Sequence, residues 1–480
     1  MGLSSLAGLG AKTVALCLAA LLTACQPQPI YEAYDGQSKR VYPGKSWAKA
    51  ESPEALGWSS ARLAEARALS DEIGTTAVMI VHDGVVVDAW GEVAVKSNLH
   101  SVRKSLLSAL IGTQVDAGAI DLGDTMAALG IDDNAPSLTE VEKQATVGDL
   151  IKARSGIYHA ALYETRQMTA SKPPRGSHAP GTYWHYNNWD FNALGTIYEQ
   201  ESGEKIFEAF QERIAGPLGM EDFEVGDGEY FTGEQSIHSA YPFRMTARDL
   251  ARFALLFERD GRWRDTQIVS ADWVAESTSA HSETGPGRGY GYMWWTVDDE
   301  AAYANLGGHH RFYYAAGYGG QYAFVFPDLD LVVVHRVNTD RAFERAPEAQ
   351  IGRLLWLILA AAGVEDIGPD PSLEAAAGER LDNAGLRRVL SGQTFRGNDR
   401  DGNPWRVTFN EDGDLIGVAG HNDEQGDQGT WRIEDDAYCR QWKKWAGGKD
   451  GCFVLVQEGT ILKAYDSTGT LMRKIDLAAS

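Results

Sequence analysis

The sequence predicts an α+β fold, an α/β sandwich in which an antiparallel sheet is flanked by helices over residues 55–363. A small antiparallel β domain follows over residues 389–480. Three observations lead to this reading. Segments 60–73, 101–118 and 191–204 have helical character. Two β-rich runs, 321–326 and 329–335, flank Pro327-Asp328. Beyond Gly363 the pattern changes to short strands separated by turn residues.

The elements follow in chain order. Residues 1–24 read as an export signal, because Lys12 is the only charge before Cys25 and the apolar core over 14–22 is too short to span a bilayer. Leu22-Thr23-Ala24-Cys25 resembles a bacterial lipobox. That resemblance implies that Cys25 carries lipid, and Gln26 after it favours the outer membrane, facing the periplasm. Residues 25–54 hold Pro27, Pro29, Pro43, Gly36 and Gly44 and read as a tether. In 60–73, Leu63, Ala66 and Leu69 share one helical face. Runs 77–81 and 85–90 flank His82-Asp83-Gly84, a hairpin signal.

Segment 101–118 places Leu106, Leu107, Leu110 and Val115 on an apolar side. Thr146 and Asp149 form a capping box. A Pro- and Gly-containing loop covers 171–181, and Thr246 to Asp249 caps a helix that runs to Phe257. The apolar run 354–364 is too short for a membrane span and reads as a buried terminal helix. Residues 364–388 read as a linker. The β domain is punctuated by Asn398, Asp401-Gly402, Asp412-Gly413 and Gly447-Gly448. With Cys17 removed in the signal and Cys25 lipidated, Cys439 and Cys452 remain in a compartment that permits disulfides, and they are predicted to pair.

Of the 480 residues, 67 are acidic and 44 basic, for a net charge of −23. Such a surface repels phosphate backbones, which argues against nucleic acid as a partner. There is no G-x-S-x-G elbow and no H-E-x-x-H helix. Gly44-Lys45-Ser46 fails as a phosphate loop because Lys39 stands where a glycine is required. The histidines do not cluster at zinc spacing, and the adjacent His309-His310 would point to opposite faces of a strand. No metal and no cofactor is predicted.

One constellation remains. Ser101 and Lys104 stand three residues apart at a helix start, so the amine can reach the hydroxyl. The helix amino terminus favours an alkoxide, and a buried lysine is pushed toward the neutral form that accepts a proton. S-x-x-K arises by chance about once or twice in a chain of this size. A second copy, Ser46 to Lys49, lies in the tether with no helix behind it. Tyr186-Asn187-Asn188 supplies a phenol that can act as general base and then as acid, although an aromatic wall residue is the plainer reading of Tyr186 alone. Tyr303-Ala304-Asn305 repeats the pattern as a decoy. Gly317-Tyr318-Gly319-Gly320-Gln321 opens a strand. The backbone amides of Ser101 and Gln321 can form an oxyanion hole worth roughly 3 kcal/mol per donor.

Taken in order, Ser101-x-x-Lys104, Tyr186-x-Asn188 and Tyr318-Gly319-Gly320 resemble the motifs of the class C-type β-lactamase and penicillin-binding-protein superfamily, over residues 55–363. Asp149-Leu150-Ile151 before Ser155-Gly156-Ile157, Pro180-Gly181, and Gly289-Tyr290-Gly291-Tyr292 support it. The resemblance implies a β-lactamase/transpeptidase-like fold and acylation of Ser101 followed by hydrolysis. Asn188, Tyr318, Gly319 and Gly320 would contact substrate. Drug-hydrolysing members carry Lys or His where Tyr318 stands, and Tyr318 brings no positive charge. Relatives with an aromatic residue there include esterases and amidases, such as those that cleave short nylon oligomers. The expectation is therefore an esterase or amidase on a small ester, amide or peptide. A β-lactamase or D-alanyl-D-alanine carboxypeptidase is the alternative, and a non-catalytic envelope-binding lipoprotein is the alternative of another class. Tyr158, Tyr163, Trp184, Trp189, Trp294 and Trp295 are candidates for an aromatic acyl pocket. Whether Lys104 or Tyr186 is the principal base stays open at this level, and the sequence does not give an oligomeric state.

Overall fold

The computed structural model describes residues 31–477 except 286, 299–309, 342–345, 347, 366, 368–378, 399–403, 421–424, 449 and 467–470. The signal, Cys25 and the Tyr303 decoy lie outside the described residues. Among those described, no helix is long and apolar enough to cross a membrane.

The large domain is built on a ten-stranded sheet. In chain order its strands are β1 (Glu32–Ala33), β2 (Ala48–Lys49), β3 (Ala77–His82), β4 (Val85–Gly91), β5 (Ser282–Gly285), β6 (Arg288–Tyr290), β7 (Trp295–Val297), β8 (Phe312–Gly317), β9 (Gln321–Phe326) and β10 (Leu331–Arg336). Their spatial order is β1-β2-β4-β3-β10-β9-β8-β7-β6-β5. All pairs are antiparallel except β1 with β2 and β2 with β4.

The central strands read as unbroken apolar runs because both faces are covered. In β3, Ala77, Met79 and Val81 enter one core while Val78 and Ile80 enter the other. On one side pack α1 (Ser60–Glu72) and the terminal helix Glu348–Ala361. On the other pack α2 (Arg103–Asp116), α3 (Asn188–Ser202) and α4 (Ala247–Glu258). Each fully buried Val or Leu contributes roughly 1.5–3 kcal/mol, so this double burial is the main source of stability.

Short-range chemistry sets the local structure. Ser59 caps α1, and Thr146 with Asp149 forms a reciprocal capping box. The β3–β4 turn has Asp83 at φ 49° and Gly84 at φ 80°. A Cβ on Gly84 would lie 1.7 Å from the Val41 carbonyl oxygen, so glycine is required there.

That contact also corrects the tether. Residues 31–54 belong to the fold. Trp47 is buried and donates from Nε1 to the Arg248 carbonyl (3.1 Å), and Arg252 binds the carbonyls of Gly44 and Lys45. Proline and glycine loosen a segment only when nothing holds it, and here a buried indole and two strand pairings do.

The linker is corrected at its far end. Glu379–Arg380 pairs with the strand Asp450–Glu458, and the helix Asn383–Leu390 buries Leu386 and Leu390 in the small domain's core. Among the described residues, that domain therefore extends back to Glu379, ahead of residue 389. From Thr394 to Asp476 it is a sequential antiparallel meander with a barrel-like form.

Cys439 and Cys452 face each other on neighbouring strands and form a disulfide across 13 residues. Loop-closure entropy over that span is worth about 3 kcal/mol. Cys439→Ser with Cys452→Ser is expected to lower the small domain's unfolding free energy by about that amount in denaturant titration. An unchanged midpoint would remove the disulfide as a stabilising element.

Candidate active site

Ser101 lies in the single 3-10 turn His100–Val102, which runs directly into α2. His100 holds φ 48°, an uncommon backbone for a residue with a Cβ, and its N–H donates to Asn98 Oδ1 (2.8 Å). One turn later, Lys104 Nζ stands 2.9 Å from Ser101 Oγ and 2.5 Å from Tyr186 Oη. The amine also sits over the rings of Tyr186 (4.3 Å) and Phe191 (4.7 Å). Lys104 is buried, and burial followed by the neighbouring Arg103 charge pushes its ammonium well below the ordinary lysine range, with Glu164 opposing. Burial pushes the Tyr186 phenol up to about 12, against the opposing effects of its Ser101 contact and Arg103. In the resting site the amine is thus the readier proton acceptor and the phenol keeps its proton.

Tyr186 precedes α3, whose cap is Asn187. Asn187 Nδ2 donates to the Ile157 carbonyl (2.6 Å) and to Asp190 Oδ1 (2.9 Å), while Ser155 Oγ donates to the same carboxyl oxygen (2.5 Å). Burial holds the Asp190 carboxyl well above the usual range. Ser155-Gly156-Ile157 therefore acts behind the site, gripping the α3 cap. Asn188, expected to contact substrate, donates from Nδ2 to the Tyr163 carbonyl (2.7 Å), while its buried Oδ1 has no hydrogen-bond partner among the described residues.

The third motif sits where β8 turns into β9. A Cβ on Gly317 would lie 2.3 Å from the Leu99 carbonyl oxygen, so glycine lets this strand press against the turn that carries Ser101. Gly319 and Gly320 hold φ 85° and 110°. The Tyr318 ring is 53% exposed and meets His100 edge-on at 5.5 Å. The Gln321 side chain is fully engaged in the core, donating to the Val337 carbonyl (2.6 Å) and accepting from Arg336 Nε (2.7 Å).

Two residues near the site were missed by sequence reasoning. Glu164 pairs with Lys172 at 2.7 Å. Arg336, at the end of β10, is buried and reaches Gln321 Oε1, the Met245 carbonyl (2.8 Å) and Ser97 Oγ (2.6 Å). Burial lowers its pKa to about 9. It ties the Gln321 strand to the segment leading into Ser101, and an arginine closing a strand carries no sequence signal of that role. Arg336→Leu is expected to lower thermal stability by about 3 kcal/mol, because it strands several buried acceptors. A melting curve unchanged from wild type would show that the network is dispensable.

The aromatic candidates divide. Trp189 and Trp294 are fully buried core: Trp189 Nε1 donates to Asp133 Oδ2 (2.7 Å), and Trp294 packs on Phe257 and Tyr313. Neither is a free pocket wall. Trp295 stacks beside Tyr186 (5.6 Å), Trp184 meets Trp295 (6.1 Å), and both are only partly buried.

The β-lactamase family matches residues 61–355, and the chain belongs to that family. A large mixed sheet flanked by helices, with the Ser101 turn pressed against one of its strands, is the frame in which this membership is seen. A D-aminopeptidase of Brucella anthropi is 29% identical over 175 residues, covering 31% of this chain and 32% of that enzyme. The chain therefore matches about a third of that relative's length. Among solved structures, a Bacillus anthracis protein described as a 6-aminohexanoate-dimer hydrolase is 19% identical, with a TM-score of 0.50 over 74% of this chain and 94% of that one. A penicillin-binding protein homologue from Pyrococcus abyssi, octameric in its structure, is 16% identical, with a TM-score of 0.50 over 86% of this chain and 98% of that one. These likenesses establish the β-lactamase/transpeptidase-like fold.

Proposed function

We propose that this β-lactamase-family protein is a serine hydrolase that forms an acyl-enzyme on Ser101, acting as an esterase or amidase on small or cell-envelope-derived substrates. The observation that carries the reading is the contact of one buried amine with both Ser101 Oγ and Tyr186 Oη. Neutral Lys104 takes the Ser101 proton as Oγ bonds to the substrate carbonyl carbon. The carbonyl electron pair moves onto oxygen, facing the backbone amides of Ser101 and Gln321. Collapse of that adduct breaks the bond to the alcohol or amine, which leaves with a proton from Tyr186. The phenol is restored by the proton on Lys104. Water then attacks the acyl-enzyme, giving its proton to the same pair, and releases the acid and free Ser101.

Amide cleavage is supported by the names of the relatives, a D-aminopeptidase and a 6-aminohexanoate-dimer hydrolase. Tyr318, exposed and bringing no positive charge, supports substrates without a carboxylate to be held at that position. A hydrolysis panel of p-nitrophenyl esters, nitrocefin and D-alanyl peptides, with Ser101→Ala as control, tests the reading. Ester or amide turnover lost in Ser101→Ala is the expected result. Nitrocefin or D-alanyl peptides as the preferred substrates would favour the β-lactamase or carboxypeptidase alternative. Fluorophosphonate labelling equal in wild type and Ser101→Ala would overturn the acyl-enzyme.

We further propose that Cys25 is lipidated and anchors the protein to the outer membrane, facing the periplasm. Support comes from the lipobox-like Leu22-Thr23-Ala24-Cys25. Metabolic labelling with an alkynyl fatty acid should mark the wild type and not Cys25→Ala, and equal labelling would overturn the anchor.

A further inference from the structure

Four rings from distant parts of the chain form a row beside Ser101. Phe231 meets Tyr163 at 5.6 Å, Tyr163 stacks on His100 at 6.3 Å, and His100 meets Tyr318 edge-on at 5.5 Å. His100 immediately precedes Ser101, and Gly317 lets the strand leading to Tyr318 press against the Leu99 carbonyl beside them. The row's two ends are open: Phe231 is 48% and Tyr318 53% exposed, among the most exposed large apolar side chains described. Exposed large apolar side chains that line up beside a reactive centre are a marker of a binding surface.

The middle of the row is held rigidly. Asn98 accepts from the His100 N–H (2.8 Å) and donates to Tyr163 Oη (2.7 Å). Thr339 Oγ1 stands 2.7 Å from His100 Nε2, and Asn188 grips the Tyr163 carbonyl (2.7 Å). His100 and Tyr163 both hold left-handed backbones, φ 48° and 66°, conformations that persist only where surroundings impose them. The hydrogen bonds therefore fix two half-buried rings in orientations the backbone resists. Two nearby charges are paired, Arg244 with Asp340 and Lys96 with Asp227, and the buried Arg103 guanidinium lies over the Tyr163 ring at 5.7 Å. Burial, followed by the Arg336 charge, lowers His100 to about 4, so its imidazole is neutral at pH 7.

We infer that Phe231, Tyr163, His100 and Tyr318 form an apolar subsite that seats an alkyl or aryl group of an uncharged substrate next to Ser101. The inference rests on the serine-hydrolase reading and deepens it by naming the substrate class. It also gives Asn188 a part as a positioning residue, acting through Tyr163.

The test is the second-order rate of Ser101 labelling by phosphonofluoridates that differ only in one chain, ethyl or decyl, placed in turn on phosphorus and on the alkoxy oxygen. Wild type is expected to react at least tenfold faster with decyl in one of the two placements. Phe231→Ala and Tyr163→Ala should each cut that decyl-to-ethyl ratio at least fivefold. Val141→Ala, an exposed apolar residue outside the row, should preserve it. Matching far-UV spectra and melting curves exclude unfolding as the cause. Labelling of Ser101 without a decyl preference, or with a preference indifferent to Phe231→Ala, would overturn the subsite while leaving the hydrolase standing. Failure of every probe to label wild-type Ser101 would overturn the hydrolase reading and the subsite with it.

Discussion

Lys104→Met is expected to lower the rate of Ser101 acylation by about 10³-fold or more, a loss of the size that removal of a base acting in a unit produces. The chain stays close in shape, because Met fills most of the lysine stem's space and the site around it is apolar, with the rings of Tyr186 and Phe191 against the amine. Lys104→Arg is expected to fail equally, since a guanidinium keeps its proton and cannot act as base. The double variant Ser101→Ala with Lys104→Met should be no worse than either alone, because the two groups act on one proton. The pH profile follows from the direction of the Lys104 shift. Below its lowered pKa the amine is protonated and has no lone pair for the Ser101 proton, so kcat/KM should fall about tenfold per pH unit on the acid side. Above it the rate should level off, since Tyr186 holds its proton up to about 12. A rate that instead rises only in strongly alkaline solution would point to Tyr186 as the base.

Trp294→Ala is expected to cost about 3–5 kcal/mol of stability, a large part of what a domain possesses. The indole has no exposed surface and is enclosed by Phe253, Phe257 and Tyr313, with ring centroids 6.0, 4.6 and 5.4 Å away. Its removal leaves a cavity under the sheet that these rigid rings cannot fill. Chemical denaturation monitored by circular dichroism measures the loss. Trp295→Ala, one residue on, should do the opposite. It is only partly buried and stacks beside Tyr186 (5.6 Å), so activity should change more than the melting temperature. If both variants behaved alike, the division between core and site would be wrong.

This pair shows where sequence reading runs out. Trp294 and Trp295 are neighbours in a strand-like segment, and alternation says that they face opposite sides. It does not say which side is core and which is site, because that depends on α4 packing beneath Trp294. Trp47 makes the same point. Its prolines and glycines argue for a loose segment, and only the pocket beside Arg248 and Arg252 shows that the segment is held. The spacing that marks Asn188 as a substrate contact does not show that its amide also supports Tyr163.

What the sequence by itself determined was short-range: the capping box at Thr146, the Asp83-Gly84 hairpin, and Ser101 and Lys104 one helical turn apart. Each follows from backbone geometry over four residues or fewer. The pairing of Cys439 with Cys452 was legible by counting. Tertiary structure alone decided what needs residues far apart in the chain. It brought Tyr186 onto Lys104 across 82 positions, and Arg336 onto Ser97 across 239. It also lined up Phe231, Tyr163, His100 and Tyr318 beside the serine. The physical reason is that a lysine becomes a base, and a ring becomes a wall, through what surrounds it. Burial and neighbouring charge are properties of the packed molecule, and no spacing along the chain encodes them.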